Sequence, residues 1–211
     1  MVTGMNQEAS KVFFIADLHF GDEGIIRYEN RPFGSVEEMD RQLADNWNSV
    51  VSEKDTVFVL GDFSCYGEER DREILNRLRG RKVLVKGNHD RHRSGEEWRR
   101  LGFAECVEWP VVYEDFFILS HEPVYLNENM PYANFFGHVH NNPAYRTVSG
   151  QSYCVSAERI GFTPVLFEEV CERMKQAGDC GGKSRNSREM AEPVKDGSKT
   201  GPGKKEAQNK P

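Results

Sequence analysis

Five short polar clusters stand out for the chemistry their side chains could do: Asp17-Leu18-His19, Gly61-Asp62, Gly87-Asn88-His89-Asp90, His121 and Gly137-His138-Val139-His140. They hold five of the chain's six histidines. Asp, Asn and His are the side chains that bind hard or borderline divalent cations. Brought together at one edge of a sheet, they would build a two-metal site, chemistry suited to the hydrolysis of phosphoesters. Each cluster taken alone has a plainer reading. Gly-Asp after a strand is commonly a turn, and a lone histidine at a strand end is commonly a packed or surface side chain. Five of them in order, four directly behind apolar runs, favour the joint reading, because converging unpaired carboxylates is costly.

Those apolar runs are the elements that must position the clusters. Residues 11–16 (KVFFIA), 56–60 (TVFVL) and 82–85 (KVLV) are too short for helices and rich in Phe, Val and Leu, so they read as strands buried on both faces. Residues 116–119 and 134–136 are shorter versions. Between the early strands lie helical segments. Residues 35–51 open with Ser35 and Glu38 as a capping box and carry Val36, Met39, Leu43, Trp47 and Val50 on one face. Residues 68–79 put Ile74, Leu75 and Leu78 on one stripe, and Ser94 with Glu97 caps a third helix. Thr163-Pro164 reads as the N-cap and first position of a helix ending near Gly178. The stretch 103–156 is strand-rich, with Glu114-Asp115 as a hairpin turn. The pattern is an α/β layered domain, in which ligands gather at the carboxyl ends of strands. In an extended chain the two-residue spacing sets Asp17 and His19 on one side, and likewise His138 and His140.

The ordered set D-x-H, GD, GNHD, H and GHVH resembles the calcineurin-like metallophosphoesterase superfamily, from residue 11 to about 170. Asp17-Leu18-His19-Phe20-Gly21, Asn30-Arg31-Pro32-Phe33, Glu38-Met39-Asp40 and Asn46-Trp47-Asn48 are similar to a branch of compact bacterial and phage phosphoesterases. That branch carries a histidine after Phe-Gly, where this chain has Asp22. The resemblance implies a four-layer αββα sandwich, two mixed β-sheets flanked by helices. It also implies that Asp17, His19 and His140 bind a first metal, that Asn88, His121 and His138 bind a second, and that Asp62 bridges them. Two divalent ions, with Mn²⁺, Fe or Zn²⁺ expected, would lie about 3.5–4 Å apart around a bridging hydroxide that attacks phosphorus in line. His89 is not a ligand in that scheme. It would act as general acid toward the leaving group, the plainer alternative being a hydrogen bond to a ligand. Asp90 would orient His89 or a metal ligand.

Size, charge and the remaining polar residues bound the function further. One domain is expected over residues 11–177, between a flexible start (1–10) and a disordered basic tail (178–211). The segment 181–211 has no aromatic residue, Ile or Leu, and cannot bury enough surface to order itself. It carries eight Lys or Arg against four Asp or Glu, net +4, so of the whole chain's −6 the remainder carries −10. An acidic body disfavours duplex nucleic acid, which needs a basic face. A small phosphoester, possibly a nucleotide, is the expected partner. No apolar run reaches about 18 residues, so no membrane span is expected. The start lacks the basic and apolar regions of a secretory leader, and scattered cysteines without paired spacing fit a cytoplasmic protein. Arg27 and Arg31 are candidates to clamp a phosphate, against solvated loop charges as the alternative. Arg91, with His92 and Arg93, is a weaker one beside a charged surface turn. Tyr125, Asn127, Tyr132 and Asn134 are placed at the pocket rim, Cys65 is read as packing, and Trp47 as core. The expected activity is phosphodiester hydrolysis ahead of phosphomonoester hydrolysis. A protein phosphatase, a nuclease, whose basic groove the acidic body does not advertise, and a non-catalytic scaffold of the same fold are the competing readings.

Overall fold

The computed structural model describes residues 9–179. The expected tail falls outside the described residues but for its first two positions, as does all of the start but residues 9 and 10.

Strand β1 (Val12–Ile15) shows why these strands are continuous apolar runs. Phe13 and Ile15 turn to one face and Phe14 and Ala16 to the other, and both faces are buried. β2 (Thr56–Val59) divides the same way, Val57 and Val59 against Phe58 and Leu60. With β3 (Arg81–Val85) and β4 (Glu105–Val107) they form a parallel set. The second sheet holds β5 (Val111–Tyr113), β6 (Phe117–Leu119), β7 (Ala133–Phe136) and β8 (Ser152–Cys154), in that order. β5 and β6 form the expected hairpin, with Glu114 and Asp115 both in left-handed backbone at φ 51° and 52°. β9 (Val165–Leu166) then returns to the first sheet, antiparallel to β1, completing the order β4-β3-β2-β1-β9. Both sheets are therefore mixed, as expected.

Helices flank them. α1 (Glu23–Tyr28), α2 (Val36–Val50), α3 (Glu68–Arg77) and α4 (Gly95–Leu101) bury Ile25, Met39, Leu43, Trp47, Ile74, Leu75, Trp98 and Leu101 against the first sheet. Trp47 is core, as read, and its indole N–H donates to the Arg79 carbonyl at 3.0 Å. Between the sheets Phe14 meets Phe135 edge-on at 5.0 Å, and α5 (Phe167–Asp179) adds Val170 and Met174 to that inner core.

Two local expectations need correction. Ser35 caps α2 by accepting from the Glu38 N–H, but the Glu38 carboxylate reaches the Gly34 N–H at 2.7 Å, so the reciprocal bond of a capping box goes one residue further back. Ser94 and Glu97 do make the full box. Thr163-Pro164 does not open a helix. Val165 and Leu166 are first taken into pairing with Phe14 and Phe13, so α5 starts only at Phe167. Among the described residues no helix is long and apolar enough to cross a membrane.

Candidate metal centre

The carboxyl ends of β1, β2, β3, β6 and β7 lead straight into the five polar clusters. Backbone bonds lace these ends together across both sheets: Asp17 N–H to Gly61 O at 3.0 Å, His19 N–H to Asp62 O at 3.0 Å, and Gly137 N–H to His121 O at 2.9 Å. Ala16 bridges to Ser156 just beyond β8. The chain bends sharply to do this. Asp17, His19, Asp62, His138 and His140 all have positive φ, between 43° and 67°. That left-handed conformation costs a non-glycine residue energy, and it persists only where the surroundings over-determine it, typically at functional sites. The glycines between them are forced. A Cβ on Gly61, at φ 85°, would sit 2.3 Å from His121 Nδ1, and one on Gly137 would sit 2.4 Å from Ala16 Cβ and 2.8 Å from Asp17 Oδ2.

The seven candidate ligands converge as two groups. In one, the donor atoms of Asp17, His19 and His140 lie within 4.8 Å of one another; in the other, those of Asp62, His121 and His138 do. Asn88 joins the second group, its Oδ1 standing 2.9 Å from His121 Nε2 and 3.0 Å from His138 Nδ1, with those two nitrogens 3.1 Å apart. Asp62 faces both groups, Oδ2 being 3.3 Å from His121 Nε2 and 3.6 Å from His19 Nε2. Its other oxygen, Oδ1, accepts from the His89 N–H at 2.9 Å. Asp17, His19, Asp62 and His121 form a buried floor, while Asn88, His89 and His138 are exposed.

The residues present suit divalent cations. Both ring nitrogens of His19 are buried without a hydrogen-bond partner, which is costly unless something else takes up their lone pair or proton. His121 donates from Nδ1 to the Leu60 carbonyl at 2.9 Å, which leaves Nε2 aimed at Asp62 and Asn88. Such an outer hydrogen bond fixes the tautomer of a metal-binding imidazole. The electrostatics agree. Burial works to raise the Asp62 carboxyl, but the hydrogen bond from His121 and the charges of His121 and His19 outweigh it and hold it at about 2. Burial works to lower His121, but Asp62 and Asp17 outweigh that and push it up to about 9.

His89 and Asp90 share one short 3₁₀ turn, His89–His92, yet face different ways. His89 is exposed, its ring edge-on to His19 with centroids 5.1 Å apart. Asp90 is fully buried and makes no hydrogen bond to the His89 ring. Its carboxylate accepts from the backbone N–H groups of Asp62 (2.8 Å), Gly87 (2.8 Å) and Phe63 (3.0 Å). It ties the loop that carries Asp62 to the loop that carries Asn88.

The substrate candidates fare differently. Arg31 faces inward: its side chain is 0% exposed and bound to Glu158 and to the carbonyls of Asp17 and Leu18, so it has no group left for a phosphate. Arg27 is exposed and stands 3.9 Å from Glu23 one helical turn earlier. Arg91 is exposed beside Glu122 at 3.5 Å. Arg93 is not a surface charge but a buried partner of Asp71 at 2.6 Å, stacked on Trp98. Asn134 is not at a rim. It is buried in β7, where it accepts from the Val124 N–H and donates to the Ile118 carbonyl. Tyr125 is highly exposed, and Asn127 accepts from the Asn129 N–H within its own loop. Cys65 is exposed as a residue rather than packed, and its sulfur groups with His19 and His89, but partial desolvation of the thiol by the surrounding protein, together with the acidic side chains around it, pushes it up to about 11. It is thus a poor nucleophile.

The roles of two residues, Asp22 (noted only as a departure from the branch) and Glu158, escaped the sequence. Asp22 caps α1, accepting from the Gly24 and Ile25 N–H groups, while its Oδ2 lies 3.4 Å from His19 Nδ1. The His19 contact foremost holds it at about 2. Glu158 accepts from His140 Nδ1 at 3.0 Å. A carboxylate three residues after His19 could have been suspected from the sequence; nothing near Glu158 in the sequence signals its role.

The family model for calcineurin-like phosphoesterases matches residues 10–173. An uncharacterised protein of Methanocaldococcus jannaschii is 34% identical over 177 residues, covering 79% of this chain and 92% of that one. The gene 66 protein of Mycobacterium phage L5 is 39% identical over 84 residues, 38% of this chain and 40% of that protein. Among solved structures, a protein of unknown function from Aquifex aeolicus superposes with a TM-score of 0.60 at 24% identity, covering 78% of this chain and 99% of that one. That last likeness speaks to the fold alone.

Proposed function

This chain belongs to the calcineurin-like phosphoesterase family, a family of metal-dependent phosphoester hydrolases, and from that premise we propose that it is a dinuclear enzyme acting on small or single-stranded phosphodiesters. One observation carries the reading: two separate donor groups, Asp17/His19/His140 and Asp62/Asn88/His121/His138, meet at Asp62, whose Oδ2 faces a histidine of each. Divalent ions held there, Mn²⁺, Fe or Zn²⁺ by the mixed O and N donors, would acidify water to about pKa 7 and offset the charge of a phosphoryl group.

The chain's own residues do the rest. The buried floor of Asp17, His19, Asp62 and His121 keeps bulk water from one side of the centre. Asn88, His89 and His138 are exposed, so the second ester arm of a diester would extend from that side. His89 holds a proton at that open side for the departing oxygen. Its position is set by its own N–H bond to Asp62, so the acid and the shared carboxylate move as one. Asp90 holds the loops of Asp62 and Asn88 in register. Exposed Arg91, on the same turn as His89 and beside Glu122, would be a cation for a substrate phosphate. The acidic body fits small or single-stranded substrates better than duplex.

The test is turnover of bis-p-nitrophenyl phosphate against p-nitrophenyl phosphate by protein stripped of metal and reloaded with Mn²⁺. Faster metal-dependent cleavage of the diester supports the reading. Cleavage of the monoester alone makes the protein a phosphatase, and no turnover with Mn²⁺, Fe²⁺ or Zn²⁺ removes the enzymatic reading.

A further inference from the structure

A buried ion pair lies directly behind the candidate metal centre and joins its first and last loops. Arg31 and Glu158 are 127 residues apart, with side chains 0% and 2% exposed. Arg31 Nε and Nη2 donate to Glu158 Oε1 at 2.8 and 2.7 Å. The same guanidinium donates to the carbonyls of Asp17 (2.6 Å) and Leu18 (2.9 Å), the left-handed bend that presents Asp17 and His19. Glu158 Oε1 in turn accepts from His140 Nδ1 at 3.0 Å. That bond commits the Nδ1 proton and leaves His140 Nε2 on the Asp17 side, 4.0 Å from Asp17 Oδ1. His121 is held by the same logic through the Leu60 carbonyl.

The neighbouring residue completes the hold. Arg159, next to Glu158 on the 3₁₀ turn Ala157–Ile160, donates to the His140 carbonyl and to those of Asn142 (2.8 Å) and Tyr145 (2.9 Å). Glu158 thus fixes the ring of His140 and Arg159 its backbone. A carboxylate buried this deeply is retained only when paired. Arg31 supplies the pairing charge, so Glu158 accepts from His140 without adding uncompensated charge beside Asp17.

We propose that Glu158, oriented by Arg31, is a positioning residue that presents His140 through Nε2 and binds the Asp17 loop to the His140 loop, so that one group of the centre, Asp17/His19/His140, depends on it and the other does not. The proposal rests on the dinuclear reading above. An outer partner of this kind typically contributes about 10–100-fold in metal affinity.

The experiment loads full-length wild type, Glu158→Ala and Glu158→Gln with Mn²⁺ by equilibrium dialysis, counts bound ions and records their EPR spectra. The expected wild type holds two ions with an exchange-coupled spectrum. Glu158→Ala keeps one tightly, gives the six-line signal of an isolated Mn²⁺, and binds the other roughly 10–100-fold more weakly. Glu158→Gln, which keeps an acceptor oxygen, recovers the second ion at higher Mn²⁺. Two ions at unchanged affinity in Glu158→Ala overturn the proposal. So does weakening of both ions together in both variants, which marks a merely structural role. A wild type holding one ion overturns the dinuclear reading instead; the positioning role then stands or falls on whether Glu158→Ala loses or keeps that ion. A wild type holding none overturns both.

Discussion

At the scale of single residues, the centre is defined as much by what cannot change as by its ligands. His89 alone among the clustered histidines reaches the open side without lying in either donor group that faces Asp62. His89→Ala is expected to leave metal content intact and to lower kcat by about 10²–10⁴ on an alkyl phosphodiester. The loss should be far smaller on an ester with a nitrophenolate leaving group, which needs no proton. Equal losses on both would remove the acid role. Gly137→Ala tests the crowding behind Asp17. Its new methyl meets Ala16 and the Asp17 carboxylate at distances no packing tolerates. It should cost about 1–3 kcal/mol in a denaturant titration and loosen metal at the Asp17 group first.

At the scale of elements, Asp90 makes the loop after β2 and the loop after β3 one unit through three backbone N–H bonds. In Asp90→Asn one of those buried donors must face an amide NH₂, with an expected loss of about 1–3 kcal/mol, read from the denaturation midpoint. Metal should weaken most at the Asp62 group. This level was only partly legible in the sequence. The ligands could be read because each follows an apolar strand run, and local order puts a strand's tip at the cleft. The left-handed bends at Asp17, His19 and His140 could not be read, since Asp and His, though enriched in that region, adopt it in only a small share of their occurrences. Nor could Glu158, whose partners Arg31 and His140 become neighbours only when β1, β7 and β8 assemble. The helix expected at Thr163-Pro164 failed for a related reason: pairing of Val165–Leu166 with β1 is a tertiary event that overrides a local start signal.

At the scale of the whole molecule, metal and protons compete for one set of groups. His121 is raised to about 9 from 6.5, so in metal-free protein its pairing with Asp62 stabilises fully below pH 6.5 and is lost as the pH climbs through 9. Glu158 is the opposite case. Burial opposes it, but the His140 bond and Arg31 hold it at about 2 against 4.5, so its contribution is present above pH 4.5 and is lost as the pH falls toward 2. The Tm of metal-stripped protein should therefore fall from pH 6.5 to 9. Saturating Mn²⁺ should abolish that decline, and the apparent metal affinity should rise over the same range, because the cation takes the deprotonated imidazole. A flat affinity profile would contradict the raised His121. Finally, one donor group runs from Asp17 to His140 and the other from Asp62 to His138, so no stretch of chain ending before His138 carries either set entire. On the dinuclear reading, a nascent polypeptide still threaded on the ribosome through that point would have nowhere to hold a full complement of ions, and metallation would be an event of the finished fold rather than a seed for it.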